Sequence, residues 1–247
     1  MSGLFAAELL KLRTIRGTWG YVLTAIGLAA LVAAATIGAE DQQARLAAGF
    51  QTRLFTESAA ATTITALLFG IALVTIEFRH GTITPALLAT PRRGVLLVSK
   101  LAGGVAAGLL LAIAALLVIA LIAFAWLGAL DVPLELTEAS RAGGRVLVSA
   151  AVAGALGAAY GGLIHAQIPA VVGALVWLLV AEPLLGALLS LADVPAVADY
   201  LPGAVIFSIA DPEMDGLSFA AAVVVGVAHV AVGAALAFVR TSRKDIT

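Results

Sequence analysis

The chain carries three histidines, His80, His165 and His229, spread so widely that no two share a helical turn. A zinc protease needs paired imidazoles with a carboxylate between them, as in H-E-x-x-H, and none of the three has such a neighbour. Ser149 and Ser190 could act as nucleophiles only with a base on a facing element, and neither has a sequence context that singles it out. Cysteine is absent, which removes thiolate ligands and disulfides. The Gly-rich stretch "AGALGAAYGG" has no Lys and lies inside an apolar run, so it cannot cradle phosphate, and no G-x-x-x-x-G-K-[ST] loop occurs elsewhere. An intramembrane enzyme is left as a remote alternative. One carboxylate stands alone: Glu182, in "LLVAEPLLG", sits well inside an apolar run, where a charge facing lipid is costly. It is expected to face other helices, as a packing or network carboxylate, as a gating or substrate-contacting group, or as a group wetted near the headgroups. Pro183 after it weakens the helix ladder and marks a kink. His229 reads as a satisfied structural imidazole.

The densest cluster of polar chemistry is "EFRHGTITPALLATPRRGVLLVSK", residues Glu77 to Lys100, between two long apolar runs. Gly81 can release a helix, Thr82 or Thr84 can cap a new one, and Pro85 suits its first turn. The short helix "PALLA" then ends before Pro91, whose ring restricts Thr90. Leu87 and Leu88 give that helix an apolar side for a soluble partner to grip. Arg92 and Arg93 suit an anionic headgroup or an acidic groove on that partner. A positively charged chain reversal with no partner is the plainer alternative.

These residues sit in a chain that is 62% hydrophobic and 12% charged, with a mean hydropathy of +1.10. A soluble domain carries about twice that charge, so the composition predicts an all-α, polytopic membrane protein with no soluble catalytic domain. Windows of roughly 20 apolar residues, enough to cross about 30 Å of hydrocarbon, fit six times: Trp19 to Gly38, Ala59 to Ile76, Leu101 to Leu127, Val146 to Leu163, Ala170 to Leu191 and Leu217 to Val239. Only "IHAQIP" divides the fourth from the fifth; a helical hairpin turning there is expected, the alternative being one long kinked helix. Six crossings put both termini on one side. Lys11, Arg13, Arg16, Arg79, Arg92, Arg93, Lys100, Arg240, Arg243 and Lys244 share that side, against Arg45, Arg53, Arg141 and Arg145 opposite. The positive-inside bias therefore predicts cytoplasmic termini and a cytoplasmic 77–100 segment.

Residues 1–18 predict an interfacial helix of imperfect amphipathicity, because Glu8 and Arg16 share the arc of Leu4, Phe5, Leu9, Leu12 and Ile15; Glu8 must find a partner there. Gly17 is the expected turn into the membrane, and Trp19 and Tyr21 suit the headgroup level. Residues 192–216 are too polar to span and too apolar for an open loop, so Tyr200, Leu201, Val205, Ile206 and Phe207 are expected to dip into the outer leaflet. Gly104 with Gly108, and Gly157 with Gly161, have the four-residue spacing that permits close helix contact.

"LLKLRTIRG" near the start, with "EFRHGTITPALLATPRRGVLLVSK" after the second span, resembles the ABC-2 type permease subunits of bacterial ATP-binding cassette exporters. The pattern is carried by Glu77, Phe78, Arg79 with His80, Gly81 with Thr82, Leu87 with Leu88, Pro91 with Arg92 and Arg93, and Lys100. The six-span layout extends the resemblance over nearly the whole chain. It implies a single transmembrane domain, residues 1–247, in a bacterial plasma membrane, with a coupling helix in residues 77–100 seated in a cleft of a cytoplasmic ATPase subunit. It further implies two ATPase copies, a second permease as homodimer or heterodimer, short outer helices capping the path at 192–216, and an amphipathic or hydrophobic cargo. No cofactor is expected on this chain; ATP and Mg belong to the ATPase subunit. Nucleic acid is not an expected partner, lipid is, and a non-transporting membrane scaffold is the main alternative.

Overall fold

A computed structural model describes residues 2–14, 16–82 and 93–243. Among them there is no strand, and six helices are long and apolar enough to cross a membrane. The short N-terminal helix α1 (Ser2–Thr14) precedes the first span, α2 (Arg16–Ala39). A single turn, α3 (Gln42–Arg45), capped by the Asp41 carboxylate accepting from Ala44 N at 2.8 Å, leads into α4 (Phe50–Arg79). Then come α5 (Arg93–Ala129) and α6 (Leu136–Ile164). The fifth span is composite: α7 (Gln167–Val176), a π-helical turn (Trp177–Ala181) and α8 (Glu182–Leu191). A 3₁₀ segment (Pro195–Tyr200) and the nine-residue α9 (Pro202–Ala210) precede the last span, α10 (Phe219–Arg243). The chain is thus a multi-pass, all-α membrane protein.

Two helices form the centre. The apolar windows of α4 and α6 are 72% and 67% buried, against 11–33% for the other four. The glycines explain how closely they approach. A Cβ on Gly157 would overlap the Leu67 carbonyl oxygen, one on Gly161 would lie 2.8 Å from the Ile71 oxygen, and both neighbours are on α4. Gly104 and Gly108 on α5 are equally closed, by the carbonyl oxygens of Gly154 and Ala150 on α6. In lipid there is no hydrophobic drive between helices, so backbone approach of this kind supplies the dispersion contacts. The four glycines join α5, α6 and α4 into one packed layer.

The boundaries depart from the sequence-based windows in an informative way. Helix α4 begins at Phe50 and α6 at Leu136, each well before the apolar window expected for it. In α4 the cause is burial of polar residues, Gln51, Thr56 and Ser58, at the far end from the termini, whereas α6 starts with its polar residues Thr137, Ser140 and Arg141 exposed. Gln51, 5% exposed, donates to Pro133 O and accepts from Glu135 N, both at 2.7 Å, so its amide clamps the turn between α5 and α6. Such residues lower local hydropathy without ending a helix. At the other end, Gly17 and Thr18 fall within the first candidate span, Gly17–Ala39, rather than before it. A hairpin, not a continuous helix, separates α6 from α7, with His165 in the left-handed region at φ 63 and stacked on Phe78 at 4.0 Å between ring centres.

Candidate functional site

The side of the molecule that holds α1 and the turn after α4 carries a closed network of charge. Glu77 lies two residues before the end of α4 and Lys100 about two turns into α5, so they stand on the two stems of the connection between those helices. The ammonium of Lys100 is bonded to both Glu77 and Glu8, the latter at 2.6 Å. Lys11 completes the square, bonded to Glu8 at 2.9 Å and to Glu77. Glu8, Glu77 and Lys100 are each about 5% exposed. Four charges summing to zero thus pin α1 to both stems. Gly103, one turn after Lys100, lets Glu8 lie flat, since a Cβ there would come 3.3 Å from its Oε2. Burial pushes the Lys11 ammonium down, but the hydrogen bond and charge of Glu77, with the charge of Glu8, outweigh it and hold Lys11 above the ordinary lysine range. Its contribution is therefore complete below the unfolded lysine value and is lost only as pH climbs through that raised value.

Beyond this clasp the α4 helix stops in a Schellman turn: Thr82 N donates to Glu77 O at 3.0 Å and Gly81 N to Phe78 O at 3.4 Å. Gly81 takes φ +68, open to glycine at no cost, and a side chain there would meet nothing, so the restriction is purely backbone. Arg79, His80, Gly81 and Thr82 are exposed, whereas Glu77 faces inward. Arg93 opens α5. Leu87, Leu88, Pro91 and Arg92, and with them the expected short helix, lie outside the described residues.

A second polar site occupies the opposite side of the membrane span. Pro183 has no N–H, and the helix before it widens to a π turn in which Glu182 N donates to Trp177 O. That widening brings the Trp177 indole beside the Glu182 carboxylate, and the two are hydrogen-bonded. The carboxylate also accepts from Gly203 N at 2.8 Å and Ala204 N at 3.1 Å, the first donors of α9. At the other end of α9, Arg145 donates to Ser208 O at 2.7 Å and stacks over Phe219. An anion at the N-terminus and a cation at the C-terminus match the helix dipole. Ser149 adds a 2.6 Å bond to Ile206 O, so it serves as an anchor. Val205 and Ile206 are packed inside protein rather than dipped into the leaflet. Glu182 is thus a tertiary helix cap, and Arg145, which residue type alone had marked only as a topological charge, is its counterpart.

Replacing Glu182 with leucine strands two backbone donors and an indole N–H, at about 1–3 kcal/mol each where water cannot reach; glutamine keeps an acceptor. Glu182→Leu is therefore expected to lower the thermal midpoint of the detergent-purified protein far more than Glu182→Gln. Equal midpoints for both variants and the parent would show that the cap contributes nothing.

His229 Nδ1 lies 3.0 Å from the Val225 carbonyl one turn back, which satisfies it locally. No group of three or more His, Asp or Glu residues able to hold a metal occurs among the described residues. A scan against models of protein families finds no match, and a search of curated proteins finds none either.

Proposed function

We propose that the chain is the membrane-spanning permease subunit of an ATP-driven exporter. Cargo of amphipathic or hydrophobic character moves outward, and a separate nucleotide-binding subunit hydrolyses the ATP. The observation that carries the reading is the Glu8–Lys11–Glu77–Lys100 clasp. It ties α1 to both stems of the one basic connection whose sequence resembles a coupling segment. A partner that grips this connection pulls on two helices at once. One of them, α4, is the most buried span, so displacement there reaches the packed centre. A loop kept only to reverse the chain has no need of such stems.

The charge partition, ten basic side chains against four, supports placing that side in the cytoplasm. Two permeases, each with one ATPase subunit, would then work as a unit: ATP-driven closure of the ATPases draws the two connections together and shifts the spans toward an outward-open population. A second permease would cover part of the apolar surface left by the lightly buried outer spans. Arg79, Arg92 and Arg93 supply charge-assisted contacts to the ATPase cleft, Leu87 and Leu88 seat the helix, and Gly81 sets its direction. The direct experiment asks whether a neighbouring reading frame encodes a soluble chain with a Walker A loop, co-expresses that chain with the permease and captures the pair from detergent; a lack of any such chain, or of co-capture, favours the scaffold alternative.

A further inference from the structure

We propose that the groove between α1, α2 and the middle of α5 is a specific site for one anionic phospholipid, its acyl chain in the trough and its phosphate on Arg13 and Thr18. The groove has a volume of about 540 Å³, within the range of roughly 300–1,000 Å³ typical of ligand pockets. Leu9 and Leu12 of α1, Val22 of α2 and Leu109, Leu110 and Ile113 of α5 make its walls. Two of its own wall residues, Leu110 and Ile113, are exposed on the outside of α5, as is Leu23 on α2, so the groove belongs to the lipid-facing side of these helices. An occupant therefore arrives from the bilayer, and an alkyl chain is what such walls accept.

Two polar side chains, Arg13 near the end of α1 and Thr18 near the start of α2, line this trough. Arg13 is exposed at the rim, and among the described residues no carboxylate lies within ion-pair distance of it; the nearby Glu8 is committed to Lys11 and Lys100. Thr18 lines the groove at 3% exposure, and its hydroxyl has no partner among the described residues. A buried hydroxyl without a partner is rare in a native fold. Phosphate oxygens accept from a guanidinium and from a hydroxyl alike, and the groove lining holds one of each. Trp19, 63% exposed at the same mouth, has the amphipathic ring that settles at headgroup depth. The net negative charge of the lipid is required because Arg13 is otherwise uncompensated, whereas a zwitterion brings its own cation. Bound there, the lipid joins α1 to α2 and α5 beside the ionic clasp. The site is independent of any ATPase partner.

Native mass spectrometry of the full chain in detergent, offered equal amounts of phosphatidylglycerol and phosphatidylcholine with the same acyl chains, reads this directly. One adduct is expected, with a preference for phosphatidylglycerol of about tenfold, as a single charge-assisted contact provides. Arg13→Gln should bring that preference to parity without changing phosphatidylcholine retention, and Thr18→Val should weaken it. Ala106→Leu, which fills the trough from α5, should remove both lipids. Equal retention of the two lipids by the parent, an unchanged preference in Arg13→Gln, or an unchanged adduct in Ala106→Leu would each overturn the assignment. Inorganic phosphate alone should give no adduct; a phosphate adduct without lipid preference would make this a free-anion site instead.

Discussion

Lys100→Met is expected to cost about 3–5 kcal/mol, the usual penalty for removing one member of a buried ion pair. Lys100 is the only member of the clasp that is both cationic and fully enclosed; Lys11 keeps 30% of its side chain exposed. Without Lys100, two enclosed carboxylates face each other across one partly solvated ammonium. In a chain of this size the thermal midpoint in detergent should fall by roughly 6–20 °C. Lys11→Met should do much less, because water can replace part of what it gives. Replacing both partners, Glu77→Leu with Lys100→Met, should recover part of the loss, since a charge pair exchanged for apolar side chains carries no stranded charge. A double variant that melts at the sum of its two single losses would mean that the charges do not act as a unit. Lys100→Met melting with the parent would deny the clasp any part in holding α1 to the stems.

The packed layer makes the second large demand. Gly108→Ala adds only a methyl group, yet that methyl overlaps the Ala150 carbonyl oxygen, and backbone cannot swing aside as a flexible side chain can. The two helices must separate along the contact, at about 1–3 kcal/mol by analogy with overpacked cores. Gly27→Ala in α2 is the matched control: nothing lies within 4 Å of its added carbon, and it faces lipid. Alanine there should leave the midpoint unchanged or raise it, because glycine is the poorer helix former. Monodispersity on size exclusion, together with the thermal midpoint, separates the two. Indistinguishable behaviour of the variants would show that α5 and α6 do not meet backbone to backbone at Gly108.

What the sequence made legible follows from which physics is local. Hydropathy over a window is local, so the six spans, the hairpin at Ile164 to Pro169 and the spacing of Gly104 with Gly108 and Gly157 with Gly161 were readable. Partners in space are not local. Glu8 visibly needed a counter-charge, but Lys100 lies 92 positions away in the chain. The same holds for Glu182: its isolation in an apolar run announced an inward role, but besides the Trp177 indole five residues back its partners are Gly203 N and Ala204 N, which have no side-chain signature at all. Val205 and Ile206 look alike whether they meet lipid or protein, and for that reason α9 read as a leaflet-dipping segment. Gln51 misled in the other direction, since a buried amide that clamps a turn has the hydropathy of a loop. The nearest sequence signal for Arg145 was its position one residue before an apolar window on the sparsely basic side.

If the connection after Gly81 transmits work from an ATPase subunit to the spans, as proposed, the ATP hydrolysis rate of that subunit must respond to it. That rate is measured with the subunit alone, with the permease in lipid vesicles, and with the Arg92→Glu, Arg93→Glu permease. Coupling predicts a rate that rises when the permease is present and returns to the lone-subunit value with the doubly reversed variant. The same rate in all three samples, with the variant folded at the parent's midpoint, would contradict it and reduce the segment to a topological anchor.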